Sequence, residues 1–232
     1  MEKEEPIINK SGKNYTFAGK PREGSKLVSF MENLKLASFD PLNKLEGRGE
    51  CPKCNAKRKY FCYDCVVPLN KDRTEVPRLD LPVDVLIVRH PKEKRSKSSV
   101  IPSGIISPDN VEILHTVDIP DQRKEFGDDP DAVVLMFPSD EAVEVAKMSK
   151  EELLKIKKVI LIDCTWSQTR HYLKQDYIQT VKHVKIKTEK TAFWRFQKGV
   201  TDEGLATIEA LYFFFRDYET NLSYQGSYEQ YS

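Results

Sequence analysis

The 232-residue sequence lacks a surplus of either charge. Its 37 lysines and arginines stand against 36 aspartates and glutamates, so no overall field draws it to a polyanion. Any such contact must come from local clusters. No apolar run reaches the length needed to span a bilayer. The start, Met1-Glu2-Lys3-Glu4-Glu5, has neither the basic nor the apolar stretch of a secretion signal, so an intracellular protein of nucleus or cytoplasm is expected. Internal repeats and coiled-coil heptads are absent as well. The length suits one domain with a full core and room for a small module.

Cysteine is scarce but concentrated. Cys51-Pro52-Lys53-Cys54 and Cys62-Tyr63-Asp64-Cys65 form two Cys-x-x-Cys pairs with seven residues between them. Without a secretion signal, disulfides give way to a metal as the natural reading. Four thiolates on two tight knuckles complete a closed tetrahedral shell, which predicts structural Zn2+ held by Cys51, Cys54, Cys62 and Cys65. The alternative is four buried free thiols. Pro52 and Asn55 suit the turn, because proline fixes φ and asparagine tolerates a left-handed backbone. Lys53, Lys57, Arg58 and Lys59 run into Tyr60, Phe61 and Tyr63. That interleaving of cations and rings suits phosphate contact and base stacking, with Lys57 and Arg58 as candidate substrate contacts. A solvated charged face over packed aromatics is the simpler alternative.

The chain divides into a polar start with an amphipathic helix (1–46, the helix from Ser25 to about Ala37), a metal module (47–80) and a main domain (81–232). After Pro82 come short apolar runs: Val83 to Val88, Val111 to Ile119, Ala132 to Phe137, Val159 to Ile162 and His183 to Ile186. Helical patterns lie between them at Asp140 to Met148, Glu151 to Lys157 and Ser167 to Gln175. Ser149 with Glu152 makes a capping box. A last helix is expected from about Asp202 to Thr220, with Leu205, Ile208, Leu211, Tyr212 and Phe215 on one face. Buried strands alternating with helices predict an α/β domain with a mainly parallel sheet.

The run Val159-Ile160-Leu161-Ile162 ends in Asp163-Cys164-Thr165-Trp166-Ser167-Gln168. In open α/β sheets, ligands bind just beyond the carboxyl ends of strands, and this strand ends in a carboxylate, a hydroxyl and an indole. The strand ending at Phe137-Pro138-Ser139 turns toward a helix in the same way, where backbone amides and a hydroxyl meet a ligand. A strand-to-helix turn without a ligand is its plainer reading.

Asp163-Cys164-Thr165-Trp166 resembles the hallmark of the DTW-domain family. Leu205-Ala206-Thr207-Ile208-Glu209-Ala210 resembles its Ser/Thr-Ile-Glu-Ala segment. His90-Pro91-Lys92-Glu93 is similar to its His-Pro-x-Glu, Met136-Phe137-Pro138-Ser139 to its Phe-Pro segment, and Phe193-Trp194-Arg195 to its aromatic-Arg segment. With the upstream Cys pairs, these matches run in family order from about Cys51 to Tyr218. The details are most similar to the eukaryotic tRNA-uridine aminocarboxypropyltransferases. The resemblance implies a SPOUT-like fold with a C-terminal trefoil knot, S-adenosylmethionine as cofactor and tRNA as partner. It also implies transfer of the 3-amino-3-carboxypropyl group to N3 of a uridine, in the D-loop region, with release of methylthioadenosine.

The resemblance assigns roles by position. Asp163 is the candidate catalytic residue, as base for the uracil N3 proton or as ligand of the cofactor's α-ammonium with Thr165 assisting. A plain helix cap is the alternative for Asp163, though Ser167 is better placed for that. Phe137, Pro138, Ser139, Thr165, Trp166, Thr207 and Glu209 are candidate cofactor contacts. Trp166 would be a flat wall against adenine or the target base, or ordinary core. Glu209 would bind ribose hydroxyls or lock a loop. His90 and Glu93 would hold the carboxypropyl end or organise their loop, and Trp194 with Arg195 would grip a phosphate or the cofactor carboxylate. Arg195 in a surface ion pair is the alternative. Cys164 has no redox role.

Lys92, Lys94, Arg95 and Lys97, and separately Lys182, Lys185, Lys187 and Lys190, would track an RNA backbone or else form solvated faces. Two departures stand out. The loop after Glu93 continues as Lys94-Arg95-Ser96-Lys97-Ser98-Ser99, leaving open which hydroxyl takes the family's Ser/Thr place. The chain also ends in a polar stretch, Tyr224 to Tyr231, where relatives often continue into more apolar helix. Two other functions compete: a SPOUT-type RNA methyltransferase on the same scaffold, and a non-catalytic zinc-dependent RNA-binding protein.

Overall fold

Alternate residues of the central strands face opposite ways, and both sides are apolar, as a sheet covered on both faces requires. In the computed structural model, which describes residues 42, 44–69, 76–187, 189–191 and 204–222, six strands form one parallel sheet. They are β5 (Asp84–Arg89), β6 (Val111–His115), β7 (Val133–Met136), β8 (Val143–Glu144), β9 (Lys158–Asp163) and β10 (Lys182–Lys185), in the order β6-β5-β9-β7-β10-β8. Four two-residue strands precede them in the cysteine-rich segment: β1 (Gly49–Glu50), β2 (Lys57–Arg58), β3 (Phe61–Cys62) and β4 (Val67–Pro68). The α/β class and the parallel sheet agree with the pattern of short apolar runs. The expected helix at 25–37 and the pair Trp194 and Arg195 lie outside the described residues. The trefoil knot implied by the resemblance belongs to the C-terminal part, of which 192–203 and 223–232 also lie outside them.

Helices cover both faces. On one side, Val85, Ile87, Val159, Leu161, Val134 and Val184 pack against Leu153 of α2 (Lys150–Lys155) and Leu211, Phe214, Phe215 and Tyr218 of α5 (Thr207–Leu222). On the other, Leu86, Val88, Val133, Leu135 and Ile160 meet Tyr172 of α3 (Trp166–Leu173) and Ile178 of α4 (Asp176–Thr180). The buried stripe of α5 follows the 211, 214, 215, 218 spacing of a helix. Tyr212, expected on that stripe, is instead 37% exposed. The capping box of α2 is present as expected, with the Ser149 and Glu152 side chains each accepting the other's backbone N–H.

The helix expected over Asp140 to Met148 is not there. Val143–Glu144 instead pairs in parallel with Val184 and Lys185, and a single 3-10 turn, Val145–Lys147, follows. The β-branched Val143 and Val145 favour the extended backbone, and an open sheet edge beside β10 offers it hydrogen bonds. The tertiary opportunity overrode a weak helical pattern.

The cysteine module sits against α1 (Ile101–Ile106) by close approach. A Cβ added to Gly104 would lie 2.9 Å from Val66 Cγ1 and 3.1 Å from Ile113 Cδ1, so only glycine lets the two surfaces meet. Polar groups continue the contact. Asp64 pairs with Arg58 at 2.9 Å within the module, while Arg95 from the loop after β5 donates to the Asp64 carbonyl at 3.4 Å and lies 3.8 Å from its carboxylate. Gly104→Val should therefore lower stability by about 1–3 kcal/mol through overpacking, read as a fall in the denaturation midpoint.

Candidate functional site

The carboxyl ends of β5, β7, β9 and β10 open into a cavity of about 1020 Å³. That is the end of a parallel sheet where ligands bind, and the volume is at the upper limit for a small-molecule pocket. Arg89, Glu93, Phe137, Pro138, Asp163, Thr165, Trp166 and Thr207 line it. Its chemistry is organised around one carboxylate. Register sets Arg89 of β5 beside Asp163 of β9 on one side and His115 of β6 on the other. Side chains level in a parallel sheet point the same way, so the three meet.

Arg89 Nε donates to Asp163 Oδ2 at 2.8 Å, and the guanidinium is only 1% exposed against 15% for the carboxylate. Ser98 Oγ donates to the same oxygen at 2.9 Å, and Thr207 Oγ1 donates to Oδ1 at 2.8 Å. Arg89 also lies 3.3 Å from His115 Nδ1 through Nη1 and reaches the Glu93 carbonyl at 3.4 Å through Nη2. Burial, helped by the cations of Arg95 and Arg89, lowers the His115 pKa and so favours the neutral ring that can accept from a guanidinium. The Asp163 carboxylate joins two strands, the 92–99 loop and the start of α5. It does not cap α3: the N-cap is Thr165, whose N–H donates to Gln168 Oε1 at 2.9 Å, so the cap expected at Ser167 falls two residues earlier. Of the hydroxyls in the Lys94–Ser99 stretch, Ser98 is the one that donates to Asp163.

Trp166 is 61% exposed and tilts against Phe137 with ring centroids 6.1 Å apart, giving the cavity an aromatic wall rather than a core residue. Lys92, Lys94, Lys97, Lys185 and Lys187 also line it. Other expected residues do not converge there. Ser139 Oγ pairs with His183 Nδ1 at 2.9 Å. Glu209 Oε2 accepts the Ala206 N–H and the Thr191 hydroxyl, each at 2.8 Å, which is the loop-locking role among its two alternatives. His90 stays off the cavity, its Nδ1 accepting the Lys92 N–H at 3.2 Å and its ring edge-on to Tyr172. Arg58 is held over the Tyr63 ring at 4.2 Å as well as by Asp64, while Lys57 is exposed.

Arg89 and His115 were missed in the sequence, where Ser98 was one of several hydroxyls left open. A cation closing the apolar run of β5 was the available signal for Arg89. Removing it leaves the Asp163 carboxylate half-buried and without its cation, a defect worth about 3 kcal/mol or more. Arg89→Met should therefore cost more stability than Ser98→Ala in chemical denaturation.

The four cysteine sulfurs fit a metal. They all lie within 4.8 Å of one another, and Cys54 Sγ is 3.7 Å from Cys62 Sγ. A regular zinc tetrahedron with bonds of about 2.3 Å has edges of about 3.8 Å. Asn55 takes φ of 58°, the left-handed turn expected of it. The neighbouring Cys54 thiol, followed by burial, pushes Cys65 up to about 12. Against burial, the amides of Lys53 and Cys54 and the adjacent thiols bring Cys51 down to about 7. Four thiolates this close need a cation between them. Cys54→Ser should lower the melting temperature and metal content, with a smaller effect on affinity for S-adenosylmethionine, measured by calorimetry and metal analysis.

Comparison with known proteins shows the family. Residues 59–231 match the DTW domain. The chain is 31% identical to the mouse tRNA-uridine aminocarboxypropyltransferase 1, over 90% of this chain and 83% of that protein. It is 30% identical to the Xenopus tropicalis protein of that name, over 89% and 84%, and 31% identical to the human one, over 86% and 79%. A second mouse protein, tRNA-uridine aminocarboxypropyltransferase 2, is 25% identical over 73% of this chain and 56% of its own. No solved structure gives a significant match. On the extent of these matches, the chain belongs to the DTW domain family.

Proposed function

We propose that this protein transfers the 3-amino-3-carboxypropyl group of S-adenosylmethionine to N3 of a uridine in tRNA and releases methylthioadenosine. The observation that carries the reading is the cavity at the carboxyl end of the sheet, where Asp163 is fixed by three donors beside an exposed Trp166 and a rim of lysines. The names of the relatives point to the same reaction. The residues present fit the cofactor: Asp163 would hold its α-ammonium, the lysines its carboxylate, and Phe137 with Trp166 would offer its adenine an aromatic wall.

S-adenosylmethionine supplies an electrophilic γ-carbon with a sulfonium leaving group, so positioning dominates the catalysis. Asp163, held in one rotamer by Arg89, Ser98 and Thr207, is suited to orient the α-ammonium with an oxygen lone pair left over. Its three donors favour that role over proton abstraction, since they already occupy most of the carboxylate's lone-pair sites. Lys92, Lys94, Lys97, Lys185 and Lys187 take the phosphates around the target uridine. The zinc module of 47–80, with exposed Lys57 and Tyr60, extends the RNA track and works with the catalytic domain of 81–232 as one unit. Trp194 and Arg195 of the aromatic-Arg segment would add a stacking ring and a phosphate fork.

Label transfer to unmodified tRNA tests the reading. Carboxyl label from S-adenosylmethionine should enter RNA, and methyl label should leave as methylthioadenosine. Methyl label in RNA would make the protein a methyltransferase, and binding without either label would leave an RNA-binding protein. Asp163→Ala should lose at least 10²-fold in transfer, with zinc content unchanged; full activity in that variant would remove Asp163 from the site.

A further inference from the structure

Alkylating N3 of a uridine requires that its proton leave, and a group in the cavity must receive it. The candidates among the described residues can be counted. Asp163 accepts three hydrogen bonds, one of them from a buried guanidinium. Glu189 lines the cavity but is paired with Arg216 at 2.8 Å. The Cys164 thiol is pushed up to about 12 by burial and by the carboxylates of Asp163 and Glu93, so it holds its proton. The lysine ammonium groups have no lone pair to offer. His90 and His183 face away from the cavity, each held by other contacts.

Glu93 remains. It lines the cavity, is half-buried, and among the described residues its carboxylate makes no hydrogen bond or ion pair. Its backbone, in contrast, is fixed. The Glu93 N–H donates to the His90 carbonyl at 2.9 Å, and its own carbonyl accepts from Arg89 at 3.4 Å. The guanidinium that orients Asp163 therefore also pins the turn that carries Glu93. A carboxylate on a fixed backbone, with free lone pairs and a neighbour already neutralised, is built to take a proton.

Resting on the reaction proposed above, we infer that Glu93 is the general base for the uridine N3 proton, while Asp163 is a positioning group. As the N3–H bond gives its proton to a Glu93 oxygen, the nitrogen's electron pair forms the N3–Cγ bond. The Cγ–S pair returns to sulfur, which leaves as a neutral thioether, so charge and atoms balance with no further reactant. Glu93 thus becomes neutral and must lose its proton to water through the open mouth of the cavity before the next turnover.

Glu93→Gln keeps the shape and removes the base. Single-turnover transfer to tRNA should fall about 10²–10⁴-fold at neutral pH, with affinity for S-adenosylmethionine within twofold of the wild type by calorimetry. The residual rate should rise with hydroxide concentration more steeply than the wild-type rate, since the uridine must then ionise unaided. A tRNA transcript carrying 5-fluorouridine, whose N3 proton is more acidic, should recover a large part of the loss in Glu93→Gln and gain little in the wild type. Equal losses on both transcripts, weakened S-adenosylmethionine binding, or near wild-type turnover by Glu93→Gln would each overturn the assignment. Absence of carboxypropyl transfer by the wild type would instead overturn the reaction on which it rests.

Discussion

One ion pair, Arg89 with Asp163, sets the geometry on which the cavity depends. Desolvating a guanidinium is costly, and that cost is recovered only if every donor finds an acceptor in good geometry. Arg89 has three acceptors within reach: the Asp163 carboxylate, the His115 ring and the Glu93 carbonyl. Each belongs to a different segment, so satisfying one side chain fixes β9, β6 and the loop after β5 relative to one another. Asp163 then passes the constraint to Ser98 and Thr207, which ties in the rest of the loop and the start of α5. The positions of the polar groups follow from the demands of one buried charge.

This division separates the groups that build the cavity from those left to act in it. Arg89, Ser98, Ser139, Glu209 and Arg58 are committed to partners within the protein. Trp166, Glu93, Lys92, Lys94, Lys185 and Lys187 present surfaces to the cavity. A pure RNA-binding surface needs the second set alone. The elaborate first set argues for a reaction whose atoms must be held within tenths of an ångström.

Much of the fold was legible because buried parallel strands read as continuous apolar runs, and five such runs became β5, β6, β7, β9 and β10. The four cysteines were legible because knuckle spacing is local chemistry. What escaped depends on register. His115 and Ser98 look unremarkable in sequence, and only the alignment of β6 with β5 and the fold of a loop bring them to Arg89 and Asp163. The edge strand at Val143–Glu144 was misread for a related reason. Its two residues carry too little periodicity to declare themselves, and their state is decided by β10 beside them. Within the motifs, Ser139 bonds to His183 and Glu209 to Ala206 and Thr191, pairings that the sequence does not display.

The Arg89–Asp163 contact spans 74 residues of sequence, and Thr207 lies a further 44 beyond Asp163. During synthesis β5 emerges long before the strand that completes its neighbourhood, and the last donor to Asp163 emerges only with α5. Parallel pairing at such separations closes long loops before any contact rewards the loss of chain entropy, which makes it slow. The small cysteine module, whose contacts are local and which a metal can fix on its own, precedes all of it. Its Val66 surface and Asp64 carboxylate are then in place to receive α1 and the Arg95 loop as they form. The cysteine module is in this sense a template for the first part of the nascent domain, and the cavity, which needs α5, is completed long after it.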